Sequence, residues 1–449
     1  MLPAEGRRLF GTDGIRGRAN VELTADLALA VGRAAGELVP GGQVLVGRDT
    51  RRSGEMLSGA LQAGLHSVGV DTIDVGVLPT GGIAFLTADT RSSLGVVISA
   101  SHNPSADNGI KLLGRKGSKL SDGEEDHIEQ RIRGGSPWKV ALDEGIGTSF
   151  RMAEADDRYL DHLRESMPYT LRGISIVLDC ANGAAYRVAP ELFRRLKAEV
   201  EVFAAEPDGT NINALCGATH PRYLAEHAKG RLGFAFDGDA DRLIAVDEDG
   251  AIANGDVTMA VIARHMKESG RLKNNVVVST VMANLGFRRA MERLGIDVVE
   301  TQVGDRYVLE AMLEHKAVLG GEQSGHVILA DRAGTGDGLL TAVRLLEVIA
   351  SSGKELRELR KETITEYPQV LRNVHVADKG KLGDAALLWA AVRDAESRLK
   401  DEGRILVRAS GTEPLVRVMV EAASATVAAE IADELVEISR GELGPAGED

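Results

Sequence analysis

Three carboxylates recur at alternating positions in Phe236-Asp237-Gly238-Asp239-Ala240-Asp241-Arg242. Extended or tightly turned backbone sends residues i, i+2 and i+4 to one side, so the three acids converge. Like charges brought together repel, and a hard divalent cation is the natural group to neutralise them. A calcium EF-hand is the sharpest rival, because Glu248 closes a twelve-residue span that starts at Asp237. Its sixth position must be glycine and here is Arg242, and residues 243–247 read as a strand, which excludes it. A solvated Asx turn accounts for one DxD, but poorly for a third Asp in register between apolar strands.

A second reactive group follows the apolar run 95–98, which leads into Ser99-Ala100-Ser101-His102-Asn103-Pro104 with Asn108-Gly109-Ile110-Lys111 beyond. Strand ends in α/β domains carry reacting groups, and Asn-Pro favours an extended-then-turn geometry that would hold Ser101 at an exposed loop tip. There is no GxSxG elbow, so a hydrolase-type triad has no support. Alone, a serine in a turn is only a turn residue.

Two glycine-rich loops add ligand chemistry. Gly320-Gly321-Glu322-Gln323-Ser324-Gly325-His326 puts a carboxylate and a hydroxyl where they can grip vicinal sugar hydroxyls. Near the C-terminus, Arg408-Ala409-Ser410-Gly411-Thr412-Glu413-Pro414 and then Arg417 combine backbone N–H groups, hydroxyls and guanidiniums suited to a phosphate dianion. A hairpin turn with solvated arginines explains that segment equally well. Walker A and GxGxxG patterns are absent, so nucleotide binding gains nothing.

Short apolar β-type runs alternate with longer helix-period segments throughout, the pattern of α/β units. Helices are expected over 21–38, 55–68, 187–197, 256–268 and 284–294, with strands at 43–46, 71–77, 174–178, 232–236 and 276–279. A chain of 449 residues exceeds one hydrophobic core. We place domains at 1–150 with the serine loop, 151–252 with the acidic loop, 253–366 with the sugar loop and 367–449 with the phosphate loop. The first three read as variants of one α/β unit.

Composition narrows the function classes. A net charge of −14 argues against a nucleic-acid or anionic-membrane binder, so any positive field must be local. Arg16, Arg18, Arg48, Arg51, Arg52, Lys111, Arg242, Arg408 and Arg417 stand beside the glycine-rich segments and are its candidates. Cys180 and Cys216 are too few and too far apart for a disulfide scaffold or zinc ribbon. With no long apolar run and no signal-peptide pattern, the expected location is cytoplasmic.

In this order the motifs, beginning with Phe10-Gly11-Thr12-Asp13-Gly14-Ile15-Arg16-Gly17, resemble the α-D-phosphohexomutase family over nearly the whole chain. Val303-Gly304-Asp305-Arg306-Tyr307-Val308, GEQSGH and Thr335-Gly336-Asp337-Gly338 are similar to its amino-sugar branch. The resemblance implies a heart-shaped arrangement of three related α/β domains and a smaller α+β C-terminal domain around a central cleft. It also implies that Ser101 is a phosphoserine and that Asp237, Asp239 and Asp241 hold Mg2+ with an oxygen of its phosphate. Glu322 and Ser324 then bind sugar hydroxyls, and Arg408, Ser410, Gly411, Thr412 and Arg417 bind the non-reacting phosphate.

The implied reaction passes the Ser101 phosphoryl group to glucosamine 6-phosphate, reorients the 1,6-bisphosphate and returns the other phosphate to Ser101, on the route to amino-sugar cell-wall precursors. A hexose 1,6-bisphosphate would prime it, and a homodimer is allowed. Lys111 and His326 are the candidate general acid and base, with His102 as competitor. The alternatives are glucose or mannose phosphate specificity, a non-catalytic sugar-phosphate sensor, or a metal-dependent phosphatase.

Overall fold

The structure, a computed structural model, describes residues 8–11, 13–410 and 415–444. Contacts divide the chain into two compact units, 1–282 with 295–363, and 283–294 with 364–449.

The first unit holds three sheets. The first comprises β1 (Ile15–Arg18), β2 (Gln43–Arg48), β3 (Asp71–Val77), β4 (Leu94–Ile98), β5 (Asp107–Gly114) and β6 (Ser149–Arg151), ordered β1-β5-β4-β2-β3-β6. In β2, side-chain alternation sends Val44 and Val46 into a core with Val31, Leu57 and Leu61 of the helices Ala25–Leu38 and Gly54–Ser67. Gly47 turns to the other face, where an added Cβ would lie 2.6 Å from Ile83 of the helix Thr80–Asp89. The first helix begins at Ala25 rather than at 21, because the Thr24 hydroxyl accepts from the Leu27 N–H and caps it.

The second sheet contains β7 (Ser175–Asp179), β8 (Glu199–Phe203), β9 (Leu232–Phe236), β10 (Leu243–Val246) and β11 (Ile252–Ala253), ordered β11-β10-β9-β7-β8. The third contains β12 (Val276–Thr280), β13 (Asp297–Thr301), β14 (Leu319–Gly321) and β15 (Val327–Leu329), ordered β13-β12-β14-β15. The three sheets share one plan. A central strand (β2, β7, β12) lies between two parallel neighbours, and the later neighbour (β4, β9, β14) is followed by an antiparallel strand (β5, β10, β15). The connection after β4 carries Ser101, that after β9 the three Asp, and that after β14 Glu322 to His326. Each motif therefore occupies the same position, the carboxyl end of the third parallel strand, which is where α/β sheets leave room for ligands.

The second unit packs β16 (Gln369–His375), β17 (Gly403–Ala409) and β18 (Leu415–Ala422), ordered β16-β18-β17 and all antiparallel, against the helices Ala386–Leu399 and Ala425–Leu443. The helix Leu285–Arg293 belongs to it through Glu421, whose carboxylate is fully buried and accepts from Asn284 Nδ2, the Leu285 N–H and Arg404 Nε.

Asp337 caps the helix Gly338–Ser352, accepting from the Leu340 N–H at 2.9 Å and from the Tyr159 hydroxyl at 2.9 Å. Burial pushes its carboxyl up to about 6, against those hydrogen bonds. The folded state thus keeps a proton that the unfolded chain releases near 3.8, so the stability linked to this group is lost as pH rises through about 6. Asp337→Asn keeps a cap and an acceptor without the charge. Chemical denaturation from about pH 4 to pH 7 should show the variant gaining on the parent by up to about 3 kcal/mol. Parallel profiles would contradict the assignment.

Candidate active site

Ser101 is not an exposed tip: it is 1% exposed, with φ of +49°. The turn that the Asn-Pro pair shapes is roofed by the acidic loop, where a Cβ on Gly238 would stand 2.5 Å from the Ser101 carbonyl. Asn213, from the segment between β8 and β9, donates to the Ser101 and Asn103 carbonyls at 2.9 and 3.1 Å. The Ser101 N–H reaches Ser99 Oγ, and Ser101 Oγ donates to Asp237 Oδ2 at 2.5 Å.

Three consecutive carbonyls of the acidic loop are each held by the start of a different helix. The Ala184 N–H, leading the helix Ala185–Arg195, donates to Gly238; the Thr80 N–H donates to Asp239; the Gly338 N–H donates to Ala240. Helix N-termini carry partial positive charge, so all three favour the negative loop between them. Thr80 Oγ1 also donates to Asp239 Oδ2 at 2.7 Å.

Asp237, Asp239 and Asp241 are buried, with ligand atoms within 4.8 Å of one another. Burial and the charges of Asp241 and Asp239 push the Asp237 carboxyl well up. Burial acts likewise on Asp241, but Lys111, His326 and Arg242 overcome it and hold that carboxyl well down. Lys111, itself buried, stays charged because Asp13, Asp239 and Asp241 outweigh its desolvation. Asp239 Oδ1 and Asp241 Oδ1 are buried without a hydrogen-bond partner. Oxygen donors left open in this way fit a hard divalent cation.

The cations close a ring. Lys111 Nζ lies 3.3 Å from Asp241 and 3.0 Å from Asp13; Lys119 Nζ lies 3.0 Å from Asp13 and 2.5 Å from Asp305. His326 completes it, 4.0 Å from Asp305 and 3.6 Å from Asp241. Burial lowers the proton affinity of His326, but Asp241, Asp305 and Glu322 raise it to about 9. The ring packs on Gly336, where a Cβ would stand 2.4 Å from the imidazole. His102 goes the other way: burial, Arg242 and Arg16 bring it to about 4, so it is neutral near pH 7.

Glu322 is half-buried and accepts from the Gly304 N–H at 3.0 Å, while the exposed Ser324 donates to Glu322 at 3.4 Å. In the second unit, Arg408 and Arg417 are cross-strand partners on β17 and β18. Burial and the Arg417 charge lower the proton affinity of the Arg408 guanidinium. Ser410 is buried, and its carbonyl accepts from Lys379 Nζ at 2.6 Å. Gly411 and Thr412 lie outside the described residues.

Of the basic residues expected to supply a local field, Arg16, Lys111 and Arg242 face the carboxylates. Arg48 pairs instead with Glu55, and Arg51 is buried against Asp49. Sequence reasoning assigned no role to Asp13, Lys119, Asp305 or Asn213. Asp13 and Asp305 stand inside quoted motifs, which is the signal that was available; Lys119 and Asn213 carry none.

Family models match in chain order: phosphoglucomutase/phosphomannomutase alpha/beta/alpha domain I at 7–137, domain II at 157–250, domain III at 254–367 and the C-terminal domain at 371–438. The chain is 50% identical to a phosphoglucosamine mutase of Desulforudis audaxviator over 448 residues, covering 97% of this chain and 99% of that protein. It is 49% identical to the one of Rhodococcus opacus over 438 residues, covering 95% and 98%. A crystal structure of a phosphoglucomutase/phosphomannomutase family protein from Burkholderia thailandensis superposes with a TM-score of 0.82 at 27% identity, over 98% of each chain. An Aspergillus fumigatus N-acetylphosphoglucosamine mutase in complex with GlcNAc-6P and magnesium shares the fold, with a TM-score of 0.69 at 18% identity over 98% of this chain and 97% of that one.

The open carboxylate oxygens carry a prediction. Calorimetric titration with Mg2+ should show one site per chain, and Asp239→Asn should weaken it by more than about 100-fold, beyond the usual cost of an outer-shell partner. Unchanged affinity would remove Asp239 from the site.

Proposed function

Because the chain belongs to the phosphoglucomutase/phosphomannomutase family, we propose that it interconverts glucosamine 6-phosphate and glucosamine 1-phosphate through a phosphorylated Ser101. The observation that carries the reading is Ser101 Oγ seated 2.5 Å from Asp237 in a buried carboxylate cluster ringed by cations.

In the first half-reaction a sugar hydroxyl oxygen bonds to the phosphorus on Ser101 as the Oγ–P bond breaks, giving the 1,6-bisphosphate. In the second, Ser101 Oγ takes the other phosphate and the remaining monoester leaves. Phosphoryl transfer is mostly positioning and charge neutralisation, and its loose transition state requires no early removal of the hydroxyl proton. Asp237, Asp239 and Asp241 would hold Mg2+ together with a phosphate oxygen on Ser101, and the ion supplies neutralisation of the charge on the transferred group. Lys111 and His326, both held charged by their carboxylate neighbours, are the candidates to give a proton to the departing oxygen; the attacking hydroxyl releases its own proton as the new O–P bond completes, and that proton restores the donor. Their charge also suits the roughly −1.5 to −2 of a phosphoserine.

Glu322 and Ser324 orient the sugar hydroxyls. Arg408, Ser410, Gly411, Thr412 and Arg417 hold the non-reacting phosphate. Support comes from the register that sets Arg408 opposite Arg417 across two strands, which brings two guanidinium forks of the kind that grip phosphate to neighbouring positions. The four-domain division at 1–150, 151–252, 253–366 and 367–449 separates these tasks. First loading of Ser101 needs a phosphoryl donor, for which we assign a hexose 1,6-bisphosphate. We assign a cytoplasmic location, and the net charge of −14 suits a small-molecule enzyme rather than a binder of polyanions.

The test compares kcat/KM for glucosamine 1-phosphate, glucose 1-phosphate and mannose 1-phosphate with Mg2+ and a priming bisphosphate. Preference for the amino sugar is expected, and preference for either neutral sugar overturns the substrate assignment while leaving the chemistry. Ser101→Ala should cut kcat by at least about 1,000-fold with unchanged thermal unfolding, as loss of a covalent carrier demands. Near-parental turnover would refute the phosphoserine route.

A further inference from the structure

Asp49 and Arg51 follow the carboxyl end of β2 and form an ion pair in which both side chains are fully buried, Nε to Oδ2 at 2.9 Å. Neither touches the carboxylate cluster's open oxygens or the sugar loop. The guanidinium is nevertheless fully used. Beyond Nε, Nη2 donates to the Ser101 and Asn103 carbonyls at 2.9 and 2.8 Å, and Nη1 donates to the Asp107 carbonyl at 3.0 Å and to that of Pro104. Five N–H donors meet five acceptors, four of them carbonyls of the loop that carries Ser101.

Asp49 reaches the same serine from the other side. Its Oδ2 accepts from Ser99 Oγ at 2.6 Å, and Ser99 Oγ in turn accepts from the Ser101 N–H at 2.9 Å. Both peptide groups flanking Ser101 are therefore tied to one ion pair, and Ser101 itself holds a left-handed φ of +49° that a serine rarely adopts unaided. Backbone torsion sets where Cβ and Oγ point, so the pair determines the direction of the hydroxyl that meets Asp237.

We propose that Arg51, fixed by Asp49, is a positioning residue for phosphoryl transfer: it clamps the 101–107 backbone so that Ser101 Oγ faces the acidic cluster. The proposal rests on the reading of Ser101 as the phosphate carrier. Lysine cannot substitute, because a single nitrogen with three donors lacks the planar fork that spans an acid and four carbonyls. The cost falls on kcat more than on KM, since the groups assigned to sugar and phosphate binding stand on other loops.

The experiment measures kcat, KM and thermal unfolding for the parent, Arg51→Lys and Ser99→Ala, with Leu61→Ala, a buried residue of the helix Gly54–Ser67, as a core control that lowers stability. It also follows loss of label to water from the 32P-phosphorylated enzymes without sugar. Arg51→Lys is expected to lose about 100-fold in kcat, the scale of an ångström misplacement, with KM within about threefold of the parent. Ser99→Ala should lose about tenfold, and both should change the rate of label loss, whereas Leu61→Ala at matched unfolding temperature keeps the parental kcat. Parental kcat in both loop variants, or an equal loss in Leu61→Ala, overturns the proposal. Should Arg51→Lys not fold, Ser99→Ala decides alone on the same criterion. A parent that incorporates no label at Ser101 refutes the phosphoserine reading itself, a result distinct from failure of the clamp.

Discussion

Burying three carboxylates in one loop is the constraint on which the first unit depends. Water is excluded from Asp237, Asp239 and Asp241, so their mutual repulsion must be met by the protein. It is met at three levels: backbone N–H groups from three helix starts, the direct cations Lys111 and Arg242, and hydroxyl donors from Thr80 and Ser101. The split between a raised Asp237 and a depressed Asp241 shows the compensation is uneven. The open oxygens left on Asp239 and Asp241 are where it stops, and their donor chemistry suits a hard cation.

The convergence has a topological origin. A parallel strand followed by an antiparallel neighbour leaves a short connection at its carboxyl end, with backbone groups that no ladder satisfies. Repeating that plan in three sheets provides three such connections. One bears Ser101, one the three Asp and one His326. Division of labour among copies of one unit explains why a chain with two cysteines, a net negative charge and no nucleotide loop can still assemble a phosphate-handling centre.

What the sequence discloses follows from range. The acidic triplet and the serine after its apolar run are local patterns, and each stands at the end of a strand, β9 and β4. The start of the helix at Ala25 turned on a cap three residues away, a contact still short enough to anticipate. Burial of Ser101 was missed because the covering residues, Gly238 and Asn213, lie more than a hundred positions distant. Lys119 was missed for the same reason: alone it is a surface lysine, and only the fold sets Asp13 and Asp305 on either side of it. Arg51 was read as part of an electropositive field, when its guanidinium is spent wholly inside the protein.

The three anchors of the acidic loop are made by main chain to main chain, from Ala184, Thr80 and Gly338. A contact of that kind does not itself read side chains, and proline, which lacks the N–H, deletes it. Sterics restrict two of the ends, because a Cβ on Gly338 would press on the Arg242 carbonyl at 2.4 Å and one on Gly238 on the Ser101 carbonyl at 2.5 Å. Position is thereby fixed by the path of the main chain, and the carboxylates keep their places through contacts that replacing side chains elsewhere on these helices does not cut.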